Sequence, residues 1–139
     1  MLTIKVAEAS DYQRIADFCS AFDNDVHSSE DWIDMFHHWW EDNPAFTEGM
    51  PRGVLLMDGD RITGHAFNFP MEFQYNFQPV TVLNGTTWRV LPESRGMSID
   101  LWFKHRELTG GGIYFNTTPT PQVTKLIKRM GYQPVPWGD

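Results

Sequence analysis

The chain has 139 residues, 41% of them apolar and 14% aromatic, which is the size of one domain with ample material for a core. Eighteen acidic against eleven basic side chains leave a formal charge of -7, which repels phosphate backbones and anionic lipid heads, so neither nucleic acid nor a membrane surface is an expected partner. The single Cys19 has no internal disulfide partner, the N-terminus lacks a basic and apolar leader, and no apolar run approaches the roughly 20 residues that span a bilayer, so a cytoplasmic setting is expected.

Residues 2–6 (LTIKV) alternate and are β-branched, which predicts a first strand. Ser10 with Gln13 reads as a capping box opening a helix that carries Tyr12, Ile15, Ala16, Cys19 and Phe22 on one face. A second helix is predicted from about Ser29, where Trp32, Met35, Phe36 and Trp39 fall at helical spacing, and it ends at Asn43 ahead of Pro44. The segment 53–69 is two short apolar runs joined at Asp58-Gly59, an antiparallel hairpin. Pro70 predicts a bend or a free edge, after which 71–77 resumes the alternation. Residues 80–90 read as a fourth strand, with Asn84-Gly85 as a bulge in preference to a hairpin turn.

Ile99, Trp102, Phe103 and Arg106 then share one face of a third helix, which the glycines at 110–112 terminate. Residues 113–117 form a fifth strand. Thr120 caps and Pro121 starts a last helix striped by Val123, Leu126, Ile127 and Met130 ahead of Gly131. The order β-α-α-β-β-β-α-β-α predicts one α/β (α+β) domain over residues 1–139, with no repeat or linker.

The turn from Val90 to Ser98 joins a strand to a helix N-terminus, where free N–H groups and the helix dipole favour an anion, and Arg95 at its mouth offers a bidentate partner for a phosphate. Other constellations carry less. His37, His38, Glu41 and Asp42 are close in sequence, but neighbouring helical histidines point about 100° apart and only His37 and Glu41 share a face, so no metal is expected. Glu72 is the best placed carboxylate for a general base, weighed against a plain surface glutamate on a strand. His65 falls on the same side as Phe67 and Phe69, the pattern of a packed histidine. No Ser-His-Asp or Cys-His set has ordered spacing.

The segment 88–103, WRVLPESRGMSIDLWF, resembles the acyl-coenzyme A binding motif of the GNAT superfamily of N-acyltransferases, in which a V-x-P-x-x-R-G turn leads from strand four into helix three. The hairpin at Asp58-Gly59, with Gly64 on its second strand, and 123–132 (VTKLIKRMGY) look like that family's strands two and three and its helix ending in a Gly-aromatic pair. The resemblance covers nearly the whole chain. It implies a GNAT-like mixed, mostly antiparallel sheet flanked by helices, in which strands four and five splay around acetyl-CoA or another acyl-CoA. It puts the Val90 backbone beside pantetheine, the Trp88 amide toward the thioester carbonyl and the pyrophosphate on the amides of Arg95, Gly96, Met97 and Ser98. Thr120 stands where many members carry an asparagine, Ile127 where many carry a tyrosine general acid, and Ser98 and Asp100 where small residues are usual. The aromatic helix around Trp32, Phe36, Trp39 and Trp40 would border the acceptor site. Eight residues follow Gly131, where family members continue through two further strands, so the resemblance implies a domain lacking its last strands, completed by a homodimer partner or by a missing C-terminal domain. The implied activity is acyl transfer to a primary amine; the alternative is a non-catalytic GNAT-fold ligand-binding or scaffolding module of a larger protein.

Overall fold

A computed structural model, describing residues 1–110, 112–117 and 119–134, places the predicted elements in the predicted order. They are β1 Leu2–Val6, α1 Tyr12–Ser20, α2 Ser29–Phe36, β2 Gly53–Asp58, β3 Arg61–Tyr75, β4 Gln78–Val90, α3 Ser98–Leu108, β5 Tyr114–Asn116 and α4 Pro121–Arg129. The sheet runs β1-β2-β3-β4-β5, antiparallel throughout except for the parallel β4/β5 pair. Strand β2 is buried on both faces, so its residues divide by the two-residue period of the pleat. Leu55 and Met57 pack under α1 and α2 with Ile15, Phe36, Trp40 and Phe67, while Val54 and Leu56 pack with Ala66, Val90 and Leu101 on the α3 side. Among the described residues no helix is long and apolar enough to cross a membrane.

Local chemistry shifts several expected boundaries. The chain enters α1 through a 3₁₀ turn at Ala9–Asp11, and the Asp11 carboxylate, not the Ser10 hydroxyl, accepts the Glu8 N–H at 3.0 Å. Helix α1 ends at Ser20, so Phe22 lies in the following turn. Ser28 and Asp31 form the capping box of α2, which widens into a π turn at His37–Glu41. The extra residue of that turn rotates the helix face. Trp40 therefore joins Trp32 and Phe36 in the core, and Trp39 moves aside to stack on Phe69 at 5.8 Å. On α3 the inward face is Leu101, Trp102 and His105, and Ile99 and Phe103 are exposed. His105 reads as polar in sequence, yet burial, aided by Arg106, pushes its pKa down to about 4, and the neutral ring packs as an aromatic. The C-terminal end of α3 is as expected, with Gly110 at φ 71°; Gly111 lies outside the described residues.

Tyr12 ties the two helices to the loop before β2. Its hydroxyl donates to Glu41 Oε1 at 2.6 Å and accepts from Arg52 Nε at 2.8 Å. Tyr12→Phe leaves two charged partners without that bridge, and a loss of about 1–2 kcal/mol in urea unfolding is expected.

Strand β3 passes through Pro70 without a break. Its partner β2 stops at Gly53, opposite Phe67, so Pro70 sits where the outer side of β3 has become an edge and no ladder bond is lost. Asn76 and Phe77, both at positive φ (49° and 64°), form a two-residue turn into β4, a hairpin the sequence did not announce by an Asn-Gly pair.

Candidate active site: the gap between β4 and β5

Strand β5 pairs with β4 only from Leu83↔Tyr114 to Gly85↔Asn116. Beyond Gly85 the strands part, and β4 continues to Val90 with β3 on one side and, among the described residues, no strand on the other.

A bulge sets what β4 presents to that gap. Between the pairs Phe67↔Thr86 and His65↔Arg89, β3 takes two steps and β4 three, and Thr87 accommodates the surplus at φ 48°. The expected bulge at Asn84-Gly85 is thus displaced, since both residues pair regularly with Phe69 and Asn68. One extra residue reverses the in-and-out alternation of backbone groups. Before the bulge the Leu83 N–H points to β5 and donates to Ile113 O at 3.0 Å; after it the Leu91 N–H points the opposite way, to Thr63 O at 2.8 Å. Counting back from Leu91, the N–H and C=O groups of Trp88 and Val90 face the gap.

Gly85 allows β5 to approach. A Cβ there would overlap the Tyr114 hydroxyl and lie 2.5 Å from Tyr114 Cζ, so the ring crosses β4 only because the position has no side chain.

The gap is a cavity of about 280 Å³ bordered by Thr86–Arg89, Trp102, Asn116 and Thr120. It adjoins, through Trp88, Arg89, Thr120 and Val123, a more open cleft of about 580 Å³ that reaches Val90, Arg95 and Ser98. The Thr87 hydroxyl and the Trp88 indole N–H are buried beside it without a hydrogen-bond partner among the described residues. Trp88 is held by stacking on Trp102, 4.8 Å between centroids.

Five of the residues singled out in the sequence, Trp88, Val90, Arg95, Ser98 and Thr120, line this continuous space. Arg95 is exposed at its mouth and, among the described residues, has no carboxylate partner; the neighbouring Glu93 pairs with Arg61. Gly96 has open space around it, and Met97 turns inward against the Leu101 side of the core. The residues Pro92–Met97 close as a 3₁₀ turn in which the Ser94 amide donates to Leu91 O and the Ser98 amide to Arg95 O, so these two donors are already engaged. Thr120 caps α4, its hydroxyl accepting the Val123 N–H at 3.2 Å. Glu72 lies elsewhere: it is on the β3/β4 hairpin opposite Thr81, in a separate depression with Trp39, Asn43 and Phe69. Neither α2 aromatic, Trp32 or Phe36, lines the gap or the adjoining cleft; Phe22 from the preceding loop lines the cleft.

The wall on the α1–α2 side is an ion pair that sequence reading passed over. Arg89, on the bulge, donates from Nη1 to Asp25 Oδ2 at 2.6 Å, and its guanidinium lies 5.3 Å from the Phe22 ring and 5.4 Å from Trp32. Burial acts to raise the Asp25 carboxyl, but hydrogen bonds from Arg89, the His27 amide and the Trp32 indole hold it below the usual carboxylate range. Nothing in the sequence marks Asp25, one of two acids in the α1–α2 loop. His65 is buried against Phe67, 4.5 Å between parallel rings, with Nε2 3.4 Å from Cys19 Sγ. Burial pushes the His65 pKa down to about 3 and the Cys19 thiol up to about 12, so both are neutral packing groups. Among the described residues no three His, Cys, Asp or Glu side chains converge, and Glu41 is engaged by Tyr12 and Arg52.

No protein-family model and no curated protein matches the chain. Solved structures do. A GCN5-related N-acetyltransferase from Ralstonia eutropha is 18% identical with a TM-score of 0.64, over 100% of this chain and 97% of that one. An aminoglycoside N-acetyltransferase in complex with CoA is 14% identical with a TM-score of 0.64, over 100% and 92%. Glucosamine-6-phosphate N-acetyltransferase from Arabidopsis thaliana is 8% identical with a TM-score of 0.63, over 100% and 96%. The chain has the fold of the GNAT N-acetyltransferases, in a divergent sequence.

Proposed function

We propose that the protein is an acyl-CoA-dependent N-acyltransferase that moves an acetyl or other acyl group from coenzyme A to a primary amine. One observation carries this reading: the outward backbone groups of Trp88 and Val90, which no strand pairs among the described residues, lie in a cleft that ends at the Arg95 guanidinium, which has no carboxylate partner among them. The donor set suits the cofactor. An amide-bearing arm can complete the ladder at Val90, and the Arg95 guanidinium at the mouth of the cleft can hold a diphosphate by charge-assisted hydrogen bonds. Bound acyl-CoA supplies a thioester carbonyl open to attack by the free-base form of an amine. The chain's part is to aim the Trp88 N–H at that carbonyl oxygen as it gains negative charge, in a gap that Trp102 and Val123 screen from water. Ile127 offers no proton to a leaving thiolate, and Glu72 lies outside the gap, so this reading does not rest on either.

Release of free thiol from acetyl-CoA, followed against a panel of primary amines, tests the reaction. Arg95→Ala is expected to raise the KM for acetyl-CoA about tenfold with little change in kcat, because Arg95 sits at the mouth of the cleft and not beside Trp88. Binding of acetyl-CoA without thiol release for any amine would instead favour a non-catalytic GNAT-fold module, the reading that an isoleucine at position 127 supports.

A further inference from the structure

Beyond Phe69, strands β3 and β4 continue as a two-stranded ribbon to the Asn76-Phe77 turn, because β2 ends opposite Phe67 and β5 reaches only Leu83–Gly85. Alternation puts Met71, Phe73 and Tyr75 of β3 on one face with Val80 and Val82 of β4, and Phe115 of β5 joins them with its ring 5.8 Å from Phe73. The α1–α2 layer covers that face only as far as Trp39 on Phe69. Phe73 is therefore 42% exposed, Tyr75 71% and Phe77 89%. Val82 is buried on this face, but a two-stranded ribbon that leaves three large rings at its end exposed is marginal in water by itself.

Its outer edge is also open. Asn68 donates its N–H to Arg52 O at 3.0 Å and accepts from Trp40 Nε1 at 2.8 Å, and Pro70 O accepts from Asn43 Nδ2 at 2.9 Å. Those contacts identify the even-numbered residues as the ones whose backbone groups face away from β4. Glu72 and Gln74 continue the series, and among the described residues no strand lies beside them.

We propose that this ribbon is a homodimer contact, in which β3 pairs antiparallel with β3 of a second copy about a two-fold axis at Phe73. In that register Glu72 of each copy stands opposite Gln74 of the other, and the two residues exchange both N–H···O=C bonds. The two Phe73 rings meet at the axis, flanked by Tyr75 and Phe77. Charge selects a second copy as the occupant. A chain of net charge -7 repels itself, but between Arg61 and Arg89 the only acidic or basic side chain apart from His65 is Glu72, and the register sets it against glutamine. Area agrees: the exposed parts of Phe73, Tyr75 and Phe77 come to on the order of 400 Å² per copy, an apolar centre for the roughly 800 Å² per partner of a standard interface.

Sedimentation velocity of the whole chain across a concentration series, with amide-resolved hydrogen exchange, tests this. The expected result is a monomer–dimer equilibrium in which the Glu72 and Gln74 amides exchange more slowly as the dimer forms. Gln74→Pro removes one outward N–H and leaves the β3/β4 ladder intact, and it should weaken the dimer at least tenfold, as should the surface change Phe77→Ser. A wild-type chain that stays monomeric to about 100 μM overturns the proposal. So does a dimer that survives both substitutions with the Glu72 and Gln74 amides unprotected, which would place the contact elsewhere, such as the outer edge of β5. Neither result bears on acyl transfer, whose gap lies on the other side of β4.

Discussion

Asp25→Ala is expected to destabilise the protein by about 3 kcal/mol, the low end of the roughly 3–5 kcal/mol seen when one partner of a buried ion pair is removed. The Asp25 side chain is 1% exposed and serves three donors: Arg89 at 2.6 Å, the His27 amide at 2.8 Å and the Trp32 indole at 3.2 Å. The low end applies because the Arg89 side chain is 30% exposed, so water can reach the orphaned guanidinium. Asp25→Asn keeps the shape and some acceptor capacity and should cost less. The pH dependence follows from the depressed carboxyl. A group whose folded pKa lies below its unfolded value contributes stability that is present above the unfolded value, about 3.9, and is lost as pH falls through the folded pKa. Denaturant melts of wild type and Asp25→Asn should therefore differ by a constant amount at neutral pH and converge below about pH 4. A constant gap down to pH 3 would show that the carboxylate charge is not what holds the α1–α2 loop to the bulge.

Gly85→Ala is the second large effect, about 3 kcal/mol, at the upper end of the usual cost of overpacking. The added Cβ would overlap the Tyr114 hydroxyl and press on Cζ, and the ring can yield only by disturbing its packing against Trp102, His105 and Tyr132. Gly96→Ala is the control, because a Cβ there meets nothing within 4 Å. Adding Tyr114→Ala to Gly85→Ala should recover part of the loss, a non-additivity that appears only if the two positions collide. Equal thermal stability of Gly85→Ala and wild type would mean that β5 does not lie against Gly85.

Periodicity and punctuation made the element order legible: alternating runs for the strands, Asp58-Gly59 for the hairpin, Thr120-Pro121 for the start of α4. What they missed follows from tertiary context. The π turn at His37–Glu41 moved Trp40 into the core, and burial made His105 an inward residue on α3 although its type is polar. The bulge fell at Thr87, not at Asn84-Gly85: Gly85 serves instead the close approach of Tyr114, and a threonine at positive φ leaves no trace in local propensity. For the site, the V-x-P-x-x-R-G turn pointed to Trp88, Val90 and Arg95, and these do line one cleft. Arg89 and Asp25 could not be paired from sequence, since 64 residues separate them. The hairpin glutamate at position 72 looked suitable by type alone, and only the strand register shows how far β3 carries it from the gap.

The central claim is that the outward backbone of β4 after the bulge receives coenzyme A. Amide-resolved hydrogen exchange of the whole chain, with and without acetyl-CoA, tests it most directly. The account predicts slowed exchange at Trp88 and Val90, with Glu72 and Gln74 unchanged at a fixed protein concentration. Unaltered exchange along 86–90 at about 1 mM acetyl-CoA, or protection confined to another part of the chain, would contradict it.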